Sequence, residues 1–215
     1  MVKNQVKSSR FGMLVPLFGT VLFLIFYIIG AFLYPGGSQI DKHSKGFSWM
    51  NNYWCNLLGS YAVNGQLNPA RPIALIGMFV LCITIAFFWY LFPNYIKYDK
   101  NNKLVIQLSG SLSMSVAMFV FTDLHDKIIN MAGVLGFITI LISLFGLYKI
   151  KWFGMMLLGS LNLLLLLLNG YVYQVDRLVY YLPMLQKISF GTYLIWICIL
   201  DLKFYYTGSI KIPIS

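Results

Sequence analysis

Charge is scarce in this chain. Only 10% of its 215 residues are Asp, Glu, Lys or Arg, against roughly a quarter in an average soluble domain. Six acidic residues and two histidines are too few for a many-histidine metal hydrolase, and no H-x-x-x-H pair occurs. The three cysteines, Cys55, Cys82 and Cys198, form no C-x-x-C pair and no disulfide framework. There is no G-x-S-x-G elbow for a nucleophilic serine, and Cys55 has only histidines distant in sequence. Without an internal repeat the chain does not read as an inverted-repeat transporter. No carboxylate falls at the middle of an apolar segment, which argues against a proton-relay pump. Lys187 and Asp201 fall near the two ends of the last such segment, where long side chains snorkel and charges reach water.

What the chain has is apolar: 59% of it is hydrophobic and 17% aromatic. Six segments approach the ~20 residues that carry a helix across a bilayer core. They run over 13–33, 73–92, 104–122, 128–147, 153–172 and 183–202. The first follows Lys3, Lys7 and Arg10, as a signal peptide would. Its apolar run exceeds the ~7–15 residues of a signal core, and no small-residue cleavage site follows, so it reads as a span. Most connections are short, which makes successive spans antiparallel and leaves no room for a soluble domain.

The net charge of +10 raises the question of nucleic acid, and the positions of the cations answer it. With the N-terminus inside, Lys3, Lys7, Arg10, Lys97, Lys100, Lys103, Lys149, Lys151, Lys203 and Lys211 are cytoplasmic. Lys42, Lys45, Arg71, Lys127, Arg177 and Lys187 are external. Every short inner loop is basic, so topology accounts for the charge and no nucleic-acid partner is expected. Tyr95, Tyr98, Tyr148, Trp152, Tyr205 and Tyr206 would mark the inner interface, and Tyr34, Tyr171, Tyr173, Tyr180 and Tyr181 the outer one.

The long connection, Tyr34 to Pro72, opens with "YPGG" and closes with "NGQLNPARP", two clusters of turn residues. Between them Phe47, Met50, Trp54, Leu57, Leu58 and Tyr61 recur at helical spacing, which predicts a short amphipathic helix lying on the outer mouth of the bundle. Inside the spans, Ser109 with Ser113 and Ser111 with Ser115 form small-xxx-small pairs. Asn162 and Asn169 share a helix face, as interhelical hydrogen bonding requires. Gly133, Gly136, Gly146, Gly154 and Gly159 read as close-packing positions.

In this topology nearly all the remaining chemistry is external. The candidate ligand-binding residues are His43, Asn52, Trp54, Asn56, Asn68 and Arg177, polar groups under an aromatic lid. The candidate catalytic residues lie in "FTDLHDKIIN", where Asp123, His125 and Asp126 fall within four positions. A mixed His/Asp metal site would need His43 to fold back onto His125, and no metal or cofactor is expected. If the fourth helix begins just after Asp123, that residue is its N-cap and Asp126 stands at N3, which explains both aspartates by capping and leaves His125 unexplained.

"YPGG" after the first span, "NNYWCNLLG", "NGQLNP" before the second, and the Asp/His turn between the third and fourth resemble the bacterial and archaeal membrane proteins grouped as domain of unknown function 998. The likeness covers about residues 11–200. That family has a Ser-Asp-Leu-Gly-like element where this chain has Cys55, Asn56, Leu57, Leu58 and Gly59. The DRAM/Sfk group of six-span proteins is a more distant likeness. The resemblance implies a fold and a membrane location, and no settled chemistry.

The expectation is an all-α bundle of six transmembrane helices in the cytoplasmic or plasma membrane, both termini inside, a single domain over 1–215 with a long external loop at 34–72. It is read as a binding protein rather than an enzyme, whose partners are membrane lipids or a small-molecule ligand. A hydrolase acting on lipid or headgroup through His125, Asp123 and Asp126 is the alternative. A subunit or assembly factor is a third, and the oligomeric state stays open.

Overall fold

The computed structural model describes residues 12, 14–96 and 98–207; Lys3, Lys7, Arg10, Lys97 and Lys211, used above for topology, lie outside them. Six long helices follow one another: α1 (Val15–Leu33), α2 (Arg71–Tyr95), α3 (Lys100–Ala117), α4 (His125–Lys149), α5 (Phe153–Gln174) and α6 (Leu182–Thr207). Short 3-10 turns occupy Trp54–Leu58 and Val179–Tyr181, and no strand occurs among the described residues. Each helix packs on its sequence neighbours and α6 returns to α1, closing the circuit.

Five of the six, all but α3, are long and apolar enough to cross a membrane. Their outward faces carry Phe18, Phe32, Phe145, Leu157 and Leu164, each more than half exposed. Apolar surface on that scale is unfavourable in water and natural against lipid. The bundle is therefore that of a helical membrane protein.

The third expected span, 104–122, differs most. The helix starts earlier, at Lys100, where the Asp99 carboxylate accepts the Asn102 N–H, an N-cap. It ends at Ala117, and the two lysines, two asparagines and Gln107 it includes dilute its apolar character. Serines fasten it on both sides. Ser111 Oγ donates to the Ala86 carbonyl of α2 (3.1 Å), Ser113 Oγ donates to Ala132 O of α4 (2.8 Å), and Ser109 shares a 2.7 Å hydrogen bond with Thr139. Gly110 lets α3 meet Trp89 of α2, since a Cβ there would stand 2.5 Å from the indole. The small residues thus serve close approach, as expected.

The remaining glycines divide. Gly146 lies under the Tyr98 ring and Gly159 under Leu144 and Trp196, whereas Gly154 faces open space. Asn162 accepts from the Thr192 hydroxyl (3.0 Å) and the Asn169 amide donates to Ser189 Oγ, so both amides join α5 to α6.

At the end opposite the long loop, Phe92, Tyr95, Trp152 and Phe204 pack ring on ring at centroid separations of 5.1–5.7 Å, with Phe92 and Phe204 fully buried. Tyr95 and Tyr34, expected at the interfaces, are buried instead; Tyr34 Oη accepts the Val63 N–H (2.9 Å). Asp201 corrects another expectation. It does not reach water: it has no exposed surface, and neither carboxylate oxygen has a hydrogen-bond partner.

Candidate functional site

The long loop is a built structure held by side-chain amides. Gly36 and Gly37 of "YPGG" take φ of 144° and 82°, values side chains rarely adopt. A Cβ on Gly37 would also stand 2.3 Å from the Asn64 nitrogen. Asn52 is fully buried; its amide donates to Gly37 O (2.8 Å) and its oxygen accepts the Ser48 N–H (2.8 Å). Asn56 Oδ1 accepts the Tyr53 N–H (2.7 Å). The Asn68 amide donates to the carbonyls of Asn56, Leu57 and Gly59 at 2.9–3.2 Å, and its oxygen accepts the Ala70 N–H (3.1 Å). Buried loop backbone needs such partners. Asn52, Asn56 and Asn68, expected to meet a ligand, are therefore committed to the loop itself.

The amphipathic helix expected across this loop is absent. Only Trp54–Leu58 coil, as one 3-10 turn, because the Asn52 and Asn56 side chains take over backbone groups that a continuous helix would pair. Met50 and Tyr61 remain exposed while Leu57 and Leu58 are buried. The turn is pressed into the bundle: Trp54 stacks on Phe23, Tyr27 and Phe190 at 5.1–5.5 Å.

Two residues of α6 fasten it from below. Lys187 Nζ donates to Asn52 O and, at 3.0 Å, to Pro183 O, so this lysine ties down the loop instead of snorkelling. Gln186 accepts the Trp54 N–H on Oε1 (3.2 Å), which turns its amide nitrogen toward Cys55 Sγ (3.8 Å).

Beneath the turn lies a cavity of about 390 Å³, within the ~300–1,000 Å³ usual for ligand sites. Its walls are mostly apolar, with Phe23, Tyr27, Met78, Leu81, Ile85 and Ile140 among them. A few polar groups converge on it: Asn162, Asn169, Gln186 and Ser189. Gly133 and Gly136, expected as packing positions, instead line the cavity, where their missing side chains leave room. Ile129, also on the wall, is 42% exposed, so the cavity reaches the surface of α4. Trp54 is the one expected ligand-binding residue on this wall.

"FTDLHDKIIN" does not cap as expected. Helix α4 begins at His125, its N-cap is Leu124, and no side chain caps it. Asp123 is exposed. The Asp126 carboxylate is used elsewhere: Oδ1 meets His125 Nδ1 at 3.0 Å and Oδ2 accepts from the Tyr173 hydroxyl of α5 at 2.9 Å.

The structure thus places Cys55 and Gln186 on the cavity wall and links His125, Asp126 and Tyr173 to one another across α4 and α5. Sequence reasoning named His125 and Asp126 and passed over Cys55. The available signal was that Cys55 alone of the three thiols falls outside the apolar segments. His43 is exposed in a turn where its N–H meets Asp41 Oδ1 (2.8 Å), and Arg177 is exposed between α5 and α6; neither is on the cavity wall. Among the described residues no three His, Cys, Asp or Glu side chains converge as metal ligands. No protein-family model, curated protein or solved structure matches the chain.

Proposed function

We infer that this is a six-span protein of the cytoplasmic or plasma membrane that takes up a lipid or similar amphipathic ligand in the cavity beneath its long loop. The observation that carries this reading is the cavity: an apolar chamber inside a bundle of membrane-length helices, polar at a few points and reaching the surface of α4 at Ile129. The hydrophobic effect favours filling such walls with hydrocarbon rather than water. α3 is counted as a span because serine hydrogen bonds hold it between α2 and α4, neither of which leaves it a lipid-free path to water. The basic loops between α2 and α3 and between α4 and α5 then lie in the cytoplasm and the long loop outside. A long loop after the first of six helices also supports membership of the domain of unknown function 998 family.

Gly133→Leu tests the reading, because it fills the chamber from a helical position where Leu has the better propensity. Native mass spectrometry of detergent-purified wild-type protein should retain a bound lipid that Gly133→Leu loses, with Tm unchanged or higher. Equal retention by both proteins places the lipid elsewhere and ends the proposal.

A further inference from the structure

We propose that the cavity selects an uncharged lipid whose polar end carries hydroxyl and carbonyl groups, an acylglycerol, and rejects lipids with a phosphate head. The proposal rests on the lipid-site reading above and adds to it the chemistry of the head. Two observations carry it. Among the described residues the cavity wall holds no Asp, Glu, Lys, Arg or His. The polar atoms that it does hold are neutral, and several keep hydrogen-bonding capacity that no protein group uses.

Tyr27 is the clearest case. It lines the cavity and is only 5% exposed, yet its hydroxyl has no hydrogen-bond partner among the described residues. A buried hydroxyl in that state calls for a partner from elsewhere. Both N–H groups of Asn169 are engaged, by Leu165 O (2.7 Å) and Ser189 Oγ, which leaves its oxygen as a free acceptor. Gln186 uses its oxygen on the Trp54 N–H, and its amide nitrogen touches only the weak acceptor Cys55 Sγ at 3.8 Å, so an N–H remains. These three groups gather under the loop. Tyr27 stacks on Trp54 (5.5 Å), Gln186 bonds the backbone of the same tryptophan, and Asn169 holds Ser189, which follows Gln186 by one turn of α6. They offer donors for a carbonyl oxygen and an acceptor for a hydroxyl, the complement of a glycerol ester. Met78, Leu81, Ile85 and Ile140 supply apolar wall for the acyl chain.

A charged head has no counterpart here. Lys187 follows Gln186 in sequence, but its Nζ turns to Asn52 O of the loop and Pro183 O at the start of α6. An anionic group carried into the chamber loses its hydration with no cation to replace it, a penalty far above that of a neutral ester. A quaternary ammonium needs a free aromatic face, and Trp54 is already flanked by Phe23, Tyr27 and Phe190 at 5.1–5.5 Å. The bland alternative is that the polar groups serve only helix packing. That accounts for Ser113, Ser189 and Asn162, whose side chains bond to neighbouring helices. It fails for Tyr27, which has no protein partner to pack through.

The test titrates the purified full chain in detergent with 1-monooleoylglycerol and with 1-oleoyl lysophosphatidate, which share one acyl chain and differ by one phosphate, and reads occupancy by native mass spectrometry. Wild type should bind monooleoylglycerol about 10-fold more tightly or better, since only the phosphate brings an unpaired charge. Tyr27→Phe removes an unpartnered hydroxyl, so Tm should be unchanged or higher. It should weaken monooleoylglycerol by about 5-fold, the worth of one hydrogen bond, and leave lysophosphatidate as it was. Equal affinity of wild type for the two lipids overturns the proposal, and so does full affinity of Tyr27→Phe for monooleoylglycerol. Gly133→Leu, run beside them, separates this failure from that of the binding reading. If it abolishes binding of both lipids while wild type does not discriminate, the cavity binds lipid and the selectivity is wrong. If Gly133→Leu binds both as wild type does, the cavity is not the site and both readings fall.

Discussion

The two ends of the bundle solve the same packing problem in opposite ways. At the end away from the long loop, aromatic rings from α2, α6 and the α4–α5 turn pack against one another. At the loop end the helices part around a cavity, and a segment with little regular structure covers it. The closed end is held by apolar contact. The open end joins hydrogen bonds of Asn52, Asn56, Asn68 and Lys187 with backbone to the packing of Trp54 on Phe23, Tyr27 and Phe190. Close-packed aromatics stabilise the closed end, while directional amide bonds fix the loop that carries Cys55 above the cavity. Stability and function are therefore expected to separate along the bundle axis.

The strongest way to break that comparison is at the closed end. Phe204 is fully buried and touches Phe92, Tyr95 and Trp152, so Phe204→Ala should cost about 3–5 kcal/mol of stability. Thermal unfolding in detergent would record the loss, and lipid retention at low temperature should be unchanged. If retention falls in step with Tm, the two ends are one cooperative unit and the contrast fails. At the open end, Asn68→Ala strands three carbonyls and one N–H, and should cost roughly 2–3 kcal/mol, since each unpaired buried group costs ~1–3 kcal/mol and loosened loop backbone recovers some water. Its sharper signature is kinetic. Cys55, half-buried in the native loop, should react several-fold faster with a membrane-impermeant maleimide added outside intact cells. Labelling only after the cells are opened would reverse the proposed orientation.

How much of this was legible in the sequence depends on the range of the interactions involved. Hydropathy is a local property, and it located α1, α2, α4, α5 and α6 to within a few residues at most ends. It was furthest off at α3, expected over 104–122 and found at Lys100–Ala117, where the Asp99 cap sets the start among polar residues that hydropathy passes over. Helical spacing misled in the long loop, where the Asn52 and Asn56 side chains bond to the backbone of Gly37, Ser48 and Tyr53 and replace the helix. The candidate site was half visible. His125 and Asp126 are adjacent in sequence, but Tyr173 meets Asp126 from 47 positions away and Gln186 meets Cys55 from 131. Capping was a sound local explanation for Asp126 that lost to a long-range one, the hydroxyl of Tyr173.

Asp201 gives the smallest expected effect and the finest test of the closed end. It is fully buried and neither oxygen finds a donor. A carboxylate placed in a dry site without a partner is costly in its charged form. Asparagine has nearly the same shape and no charge to desolvate. Asp201→Asn should therefore leave Tm unchanged or raise it, by an amount worth no more than about 1 kcal/mol, with lipid retention unaltered. A clear fall in Tm would show that the carboxylate is doing something a neutral amide cannot, such as holding a cation or a transferable proton. In that case the closed end is not an inert plug, and the separation of stability from function along the bundle would have to be redrawn.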